Sequence, residues 1–302
     1  MSFPALPLTY ELASVVPYIN WLYFFNAWGF SPQYAAVAHV HDCPSCRAQW
    51  IESFAGTATE KAREALRLFD DARSLLRSLE GKYRTRAIVG LFAANGDEED
   101  ILIYKDTPSA PVRLPMLRQQ HGSPCLCWSD FLLPVSSGRT DTVGLFATSV
   151  DAELEQSHPD DAYRHLLCQT LADRLAEATA ERMHETVRRH LWGYAPDEQL
   201  SIEALFQEKY IGRRPATGYP SLPDQSLNFL IDDLLDMSRI GIRLTESGAM
   251  SPHASTSGLL FAHPKATHFA VGRIGEDQLQ AYARRRGLSP KTMRKFLAAN
   301  LN

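Results

Sequence analysis

The sequence lacks the features of a membrane or secreted protein. No apolar run approaches the roughly 20 residues that a membrane-spanning helix needs. The start, MSFPALPLTYELASVV, lacks the basic and continuously apolar regions of a secretory signal. Five cysteines, an odd number, do not form the disulfide framework of a small secreted domain. We therefore expect a cytoplasmic protein with reduced thiols and no membrane partner.

Several common functional signatures are also missing. The formal net charge of -4 gives no general attraction to nucleic acid, so no nucleic-acid partner is expected. The chain contains no GxGxxG, no GxxxxGK[ST] and no GxSxG motif. A classical dinucleotide site, a P-loop and a nucleophile elbow therefore have no support.

The patterns that are present predict an α+β protein. Aromatic residues crowd 10–30, and helical periodicity covers 57–86 and 159–192. Four strand-like runs with turn signals between them predict one antiparallel sheet; they are 86–96, 100–106, 125–135 and 141–150. A later run, 267–274, also resembles a strand. We expect one unit over 1–302, with an N-terminal aromatic segment (1–56) that carries a His/Cys insertion and a main α+β body (57–302).

The stretch GRRPATGYP, residues 212–220, is the strongest candidate for a binding loop. Pro215 fixes a backbone angle, and Gly218 allows one that is closed to other residues. Arg214 offers a planar fork suited to a carboxylate, and Tyr219 offers a flat ring with a hydroxyl. From this segment alone, a rigid turn whose arginine meets a surface acid explains the pattern equally well.

Three glutamates repeat at four-residue spacing on the second long helix: Glu177, Glu181 and Glu185. Such a stripe lies on one helical face, and like charges there repel by a few tenths of a kcal/mol per pair. A solvated face is the favoured interpretation. Of the three, Glu177 is nevertheless a candidate for facing a cationic ligand.

A rival signal is the segment HVHDCPSC. His39, His41, Cys43 and Cys46 are all competent zinc ligands and lie close together in sequence. Against zinc, structural sites usually draw ligand pairs from two separated segments, and one CxxC occurs often by chance. Metal binding is therefore the alternative to a purely structural turn.

The ordered segments together resemble the S-adenosylmethionine-binding activation domain of cobalamin-dependent methionine synthase. The resemblance rests on YINWLYFFNAW, LRQQ, SDFLLPVSSGRTDTVGLFAT, the long segment from LADRLAEATAERMHETVRRHLWGY to SIEALFQEKY, GRRPATGYP, IGIRLTESGAMSPHASTSGLLFAHP and DQLQAYARRRG. It covers most of the chain. It implies a C-shaped α+β domain with a curved antiparallel sheet and flanking helices.

The resemblance also implies a ligand site. Arg214, Gly218 and Tyr219 occupy the positions of the family's RxxxGY motif, which includes Ala216. Arg214 would meet the ligand's carboxylate, and Tyr219 would lie near the transferable methyl. An acid or amide near Asn20 would meet the ammonium.

Four residues at three sites depart from the family pattern. Asn20 stands where the family has aspartate, Thr217 stands where it has proline, and His268-Phe269 replace a tyrosine pair. Exchanging a charge-assisted bond for a neutral one weakens an ammonium contact by about 1 kcal/mol.

The implied function is reactivation of a methyltransferase. The chain would bind S-adenosylmethionine and support reductive remethylation of cob(II)alamin carried by a partner methionine synthase protein, with electrons from flavodoxin or a similar reductase. Because homocysteine, folate and cobalamin modules are absent from the sequence, we expect the chain to act as a stand-alone component that cannot make methionine by itself. The alternative is a non-catalytic docking or regulatory module with weakened donor binding, which includes a zinc-binding form.

Overall fold

A computed structural model describes residues 3–104 and 111–301 of the chain. Residues 105 and 106 of the predicted strand 100–106 therefore lie outside the described part. The strands in this part are β1 (Phe3–Glu11), β2 (Arg84–Asp97), β3 (Asp100–Tyr104), β4 (Val112–Pro115), β5 (Asp141–Val150), β6 (Arg243–Leu244), β7 (Met250–Ser251) and β8 (Ser255–Leu260).

The main sheet is antiparallel and is built around the long strand β2. Its order is β4-β3-β2-β5-β8. One edge of β2 pairs with β5, and the other edge pairs first with β1 and then with β3. The sheet therefore has two strands along one side of β2. The short strands β6 and β7 form a separate ladder.

The helices flank this sheet. They are α1 (Leu12–Val15), α2 (Trp21–Ala27), α3 (Pro44–Glu52), α4 (Thr57–Leu79), α5 (Ala152–Glu155), α6 (Ala162–Thr186), α7 (Ile202–Phe206), α8 (Leu227–Leu235), α9 (Glu276–Arg285) and α10 (Pro290–Phe296). Helix α6 continues into a π-helical turn, Val187–Leu191. Among the described residues, no helix has the length and apolar character needed to span a bilayer.

The two faces of the sheet carry different layers. Ala87 and Val89 on β2 pack with Met183 of α6, whereas Ile88 between them packs with Ile231 of α8. Successive side chains of a strand point to opposite faces, so α6 and α8 lie on opposite sides of the sheet. The aromatic N-terminal segment joins the core that α4 and α6 share.

The predicted α+β class, the antiparallel hairpin β2–β3 and strand β5 are confirmed. The predicted strand over 125–135 is wrong: it forms two 3₁₀ turns, Trp128–Phe131 and Val135–Ser137. The Asp130 carboxylate accepts the Cys127 N–H at 2.8 Å, which closes a turn rather than extending a strand.

Three further elements differ from the prediction. The first long helix ends at Leu79 rather than at 86, and Gly81 then adopts a φ of 73° that turns the chain into β2. The run 267–274 pairs with no strand of the described residues. Strand β1 was not predicted, because its prolines and short apolar runs weaken the period-2 pattern. The single-unit organisation and the boundary at 56 stay predictions.

Candidate functional site

A cleft of about 880 Å³ opens between α6, the N-terminal aromatic segment and the loop after α7. Every predicted binding residue except Gly218 lines it: Asn20, Glu177, Arg214, Ala216, Tyr219, His268 and Phe269. These residues come from four separate parts of the chain. The fold therefore brings the predicted set together around one cavity.

The loop 212–220 is held as an extra edge segment on β8. Arg213 and Phe261 exchange both backbone hydrogen bonds at 2.9 Å, and the N–H of Thr217 donates to Ser257 O at 2.9 Å. Ala216 forms a bridge with Gly258. Because main-chain bonds fix both ends of the segment, Arg214 and Tyr219 start from a rigid backbone.

Two glycines serve this arrangement for different reasons. A Cβ on Gly258 would lie 2.0 Å from Pro215 O, so the loop can approach β8 closely only because Gly258 has no side chain. Gly218 adopts a φ of 83°, and a Cβ there would meet no atom of the described residues within 4 Å. Gly258 provides space, whereas Gly218 provides a left-handed backbone.

The structure accounts for Thr217, which stands where the resemblance leads us to expect proline. Its backbone N–H makes a hydrogen bond that proline could not make. Its hydroxyl donates to Asn228 Oδ1 at 2.7 Å, and the Ser257 hydroxyl donates to the same oxygen at 2.6 Å. Thr217 therefore lacks the fixed φ of a proline, but its hydrogen bonds anchor the loop instead.

Arg214 and Glu181 form an ion pair in the wall of the cleft. Arg214 Nη2 lies 3.1 Å from Glu181 Oε2, and each side chain is only 12% exposed. Burial disfavours the charge on Arg214, but the combined attraction of Glu181, Tyr210 and Glu177 outweighs burial and raises the Arg214 pKa. Within residues 3–104 and 111–301, neither Arg214 Nε nor Glu181 Oε1 has a hydrogen-bond partner.

Tyr219 and Glu177 form a second pair at the rim. The Tyr219 hydroxyl donates to Glu177 Oε1 at 2.7 Å, while the tyrosine remains 51% exposed. Burial of the hydroxyl, followed by the nearby Glu177 charge, raises the Tyr219 pKa above its usual 10.0. Glu177 and Glu181 lie one helical turn apart, so both carboxylates face the cleft.

The predicted solvated face of this helix is wrong. Glu181 is 12% exposed, and Glu185 is 15% exposed. Glu185 accepts a hydrogen bond from Tyr18 and pairs with Arg189 at 3.0 Å. The stripe contacts nearby arginines of its own helix and one arginine and two tyrosines from distant segments, which compensate the like-charge repulsion along the helix.

Asn20 begins helix α2. Its side-chain oxygen accepts the Leu22 N–H at 3.1 Å and so caps the helix. The residue also lines the cleft. The amide oxygen is thus committed to the cap, and the amide NH₂ is the donor that Asn20 can offer to the cavity.

His268 and Phe269 close the opposite side. His268 Nε2 lies 3.3 Å from a carboxylate oxygen of Glu208, and Arg213 Nε lies 3.2 Å from the other. The hydrogen bond with His268 lowers the Glu208 pKa from its usual 4.5. Phe269 packs on Trp128 with ring centroids 5.1 Å apart. His268 and Phe269 are therefore part of the cleft wall.

Sequence reasoning missed part of the lining, notably Glu208 and Tyr210. Both directly precede the binding loop, and that proximity was the available signal. Behind them, the fully buried Arg188 binds Glu198 through two nitrogens, and its guanidinium lies 4.0 Å above the Tyr210 ring. Burial, with Arg188 next in importance, holds the pKa of His184 well below its usual 6.5. This layer fixes Tyr210 from behind.

The predicted metal ligands are placed differently. His41, Cys43 and Cys46 bring one ligand atom each within 4.8 Å of one another, and His39 is not part of this group. Cys43 caps helix α3, with its sulfur accepting the Cys46 N–H at 3.3 Å. Hydrogen bonding from the Cys46 side chain, then from Ser45 and His41, lowers the Cys43 pKa to about 6.

Comparison with known proteins gives one consistent result. Residues 11–287 match the family described as vitamin B12 dependent methionine synthase, activation domain. The chain is also similar to a crystal structure of the MetH reactivation domain bound to AdoHcy. The two share 36% identity and a TM-score of 0.85, over 99% of this chain and 91% of that one.

The family match spans nearly the whole chain, and the structural similarity extends to the half-barrel of curled antiparallel strands with its flanking helices. On this evidence, the chain belongs to the activation domain family of vitamin B12-dependent methionine synthases.

Proposed function

We propose that the chain binds S-adenosylmethionine in the cleft. The methyl group of this ligand is then transferred to cobalamin carried by a partner methionine synthase protein. The observation that carries the proposal is the Arg214–Glu181 pair. Both side chains line the cleft, so the pair presents one charge of each sign to a ligand.

S-adenosylmethionine fits this pair because its amino-acid end carries one charge of each sign. The carboxylate would bind the planar fork of Arg214. The ammonium would bind the carboxylates of Glu181 and Glu177 on the same face of α6. This assignment moves the ammonium contact away from Asn20, whose oxygen already caps α2. The AdoHcy bound to the similar reactivation domain is what S-adenosylmethionine becomes after it gives up its methyl group.

The cleft also suits transfer to a second protein. Tyr219 is 51% exposed and Tyr23 is 56% exposed at its rim. A methyl group held beside Tyr219 would remain accessible from outside. The proposed partner supplies the cobalamin, and flavodoxin or a similar reductase supplies the electron that the reductive remethylation of cob(II)alamin needs. Because the reductive remethylation requires a reducing compartment, we also propose that the chain works in the cytoplasm.

A second candidate is a docking or regulatory module with weakened donor binding. One observation favours it: Asn20, which stands where the resemblance leads us to expect aspartate, carries no charge for the ammonium, and its amide oxygen already accepts the helix-cap hydrogen bond. In this case the chain would bind its partner equally well with or without S-adenosylmethionine.

Titration calorimetry of the full chain with S-adenosylmethionine and AdoHcy separates these candidates. We expect both ligands to bind at one site, and adenosine, which lacks the amino-acid end, to bind at least about tenfold more weakly. In a coupled assay with a cobalamin-loaded partner and a reductase, methylcobalamin should form only when S-adenosylmethionine is present. If neither ligand produces heat, the proposal is refuted. Partner binding that does not depend on S-adenosylmethionine would then support the docking module.

A further inference from the structure

The turn before helix α3 collects three metal-binding side chains. One ligand atom from each of His41, Cys43 and Cys46 lies within 4.8 Å of the other two. We propose that these three residues bind one zinc ion and leave a fourth coordination position open to water or an added ligand. This inference does not depend on the proposed function of the cleft.

The spacing of the three atoms is close to what zinc requires. In a tetrahedral site, Zn–S and Zn–N bonds place ligand atoms roughly 3.6 to 3.8 Å apart. Moving the atoms from within 4.8 Å to that spacing needs only small side-chain rotations. Cys43 and Cys46 occupy the cap and the third position of α3, where the helix N-terminus favours a thiolate. The backbone already points both sulfurs to one side of the turn.

Ion pairs fix the turn to its neighbouring helix. Arg47, directly after Cys46, binds both carboxylate oxygens of Asp70 on α4 at 2.8 Å. Asp42, between His41 and Cys43, pairs with Arg47 and lies 3.3 Å from Arg73 of α4. These ion pairs hold the turn in place on both sides of the three ligands. They therefore reduce the conformational entropy that metal binding would otherwise cost.

The donor set selects the type of ion. Two thiolates and one neutral imidazole balance the charge of a divalent cation, and sulfur ligands favour zinc over magnesium or calcium. The Asp42 carboxylate is engaged with the arginines and is not available as a hard oxygen ligand. Because His39 is outside the group and His41 is exposed, three protein ligands leave one position of a tetrahedron open.

The test is metal titration of the full chain kept in a non-thiol reductant. After chelator treatment, wild type should take up one equivalent of Zn²⁺ in competition with a chromophoric chelator. With Co²⁺ it should show the intense visible bands of a tetrahedral site and a sulfur-to-metal charge-transfer band. Cys43→Ser, Cys46→Ser and His41→Gln should each lose at least about a hundredfold in zinc affinity, since ligand loss costs more than loss of an outer-sphere partner.

Two matched controls keep the test specific. His39→Gln lies two residues before the site, and Cys125→Ser removes another partly exposed thiol; both variants should bind zinc like wild type. Each cysteine variant should show a weaker charge-transfer band than wild type, because only one thiolate remains, and its circular dichroism should remain that of wild type. The inference is overturned if wild type takes up no zinc or if Cys43→Ser and Cys46→Ser bind it with unchanged affinity. An equal loss in His39→Gln would overturn the three-ligand assignment.

Discussion

The cleft and the turn before α3 differ in how the chain assembles them. The cleft takes its polar side chains from distant segments, from Asn20 to His268. The turn takes its three candidate ligands from residues 41–46. Local spacing in the sequence is therefore enough to reveal the turn. The cleft follows only from the tertiary packing of α6 against the loop 212–220.

The two regions also differ in the burial of the charges that support them. Arg214 and Glu181 in the cleft are both 12% exposed, whereas Arg47 and Asp42 at the turn are 25% and 56% exposed. Breaking a buried pair costs several kcal/mol because one charge is left unpaired, while a surface pair contributes about 1 kcal/mol or less. Disruption of the cleft should therefore have the larger effects.

The largest effect is expected for Arg214→Met. Removing the guanidinium eliminates the carboxylate contact, which we expect to weaken S-adenosylmethionine binding by about 3 kcal/mol, or roughly a hundredfold in Kd. Zinc uptake at the turn should remain that of wild type. Calorimetry for the donor and chelator competition for zinc measure the two sites separately.

Arg213→Met is the matched control for this prediction. Arg213 is the adjacent arginine of the same loop, but its guanidinium pairs with Glu208 and does not line the cleft. Its donor affinity should fall by less than about fivefold. If both variants lose the same affinity, the effect comes from general disruption of the loop, and the specific role of Arg214 is wrong. Thermal unfolding of each variant verifies that it is folded at the assay temperature.

A smaller effect is expected for Gly258→Ala. The added methyl would lie 2.0 Å from Pro215 O, so the loop must shift away from β8. We expect a loss of about 2 kcal/mol in the free energy of unfolding, measured by denaturant titration. Donor affinity should fall as well, because the loop presents Arg214 and Tyr219.

Gly144→Ala provides a comparison in the same sheet. A Cβ at Gly144 would lie 2.8 Å from Leu260 Cβ, so the clash falls on the paired strands β5 and β8 and not on the loop 212–220. Gly144→Ala should therefore reduce donor affinity less than Gly258→Ala does. Equal donor affinities in the two variants would show that the close approach of the loop to β8 is not what positions the site.

Much of the fold follows from local pattern. The hairpin β2–β3 and the helices α4 and α6 could be predicted because their hydrophobic periods persist over many residues. The region 125–135 could not, because its apolar residues imitate a strand while Asp130 closes a turn through the Cys127 N–H. Hydrogen bonds of single side chains override the period there.

The site could be predicted only in part. Arg214, Gly218 and Tyr219 were singled out by the rigid, charged loop and by its resemblance to the RxxxGY motif, and their role in binding stays a prediction. The burial of Glu181 was missed, because its partner Arg214 lies 33 residues away in sequence. A glutamate stripe with partners that distant has the same local pattern as a solvated stripe.

The smallest expected effect concerns the pair between Glu208 and His268 at the cleft wall. The hydrogen bond with His268 lowers the Glu208 pKa below 4.5, so the stabilisation is present above the unfolded-state pKa and is lost as pH falls through the folded-state value. Both side chains are close to 40% exposed, so solvent limits the contribution to less than about 1 kcal/mol.

Glu208→Gln should lower the unfolding free energy at neutral pH, and its difference from wild type should shrink in acid below pH 4.5. Glu52→Gln, on an exposed position of α3 beside the turn, is the control and should match wild type at both pH values. A Glu208→Gln difference that does not change with pH would show that the carboxylate charge at the cleft contributes nothing to stability.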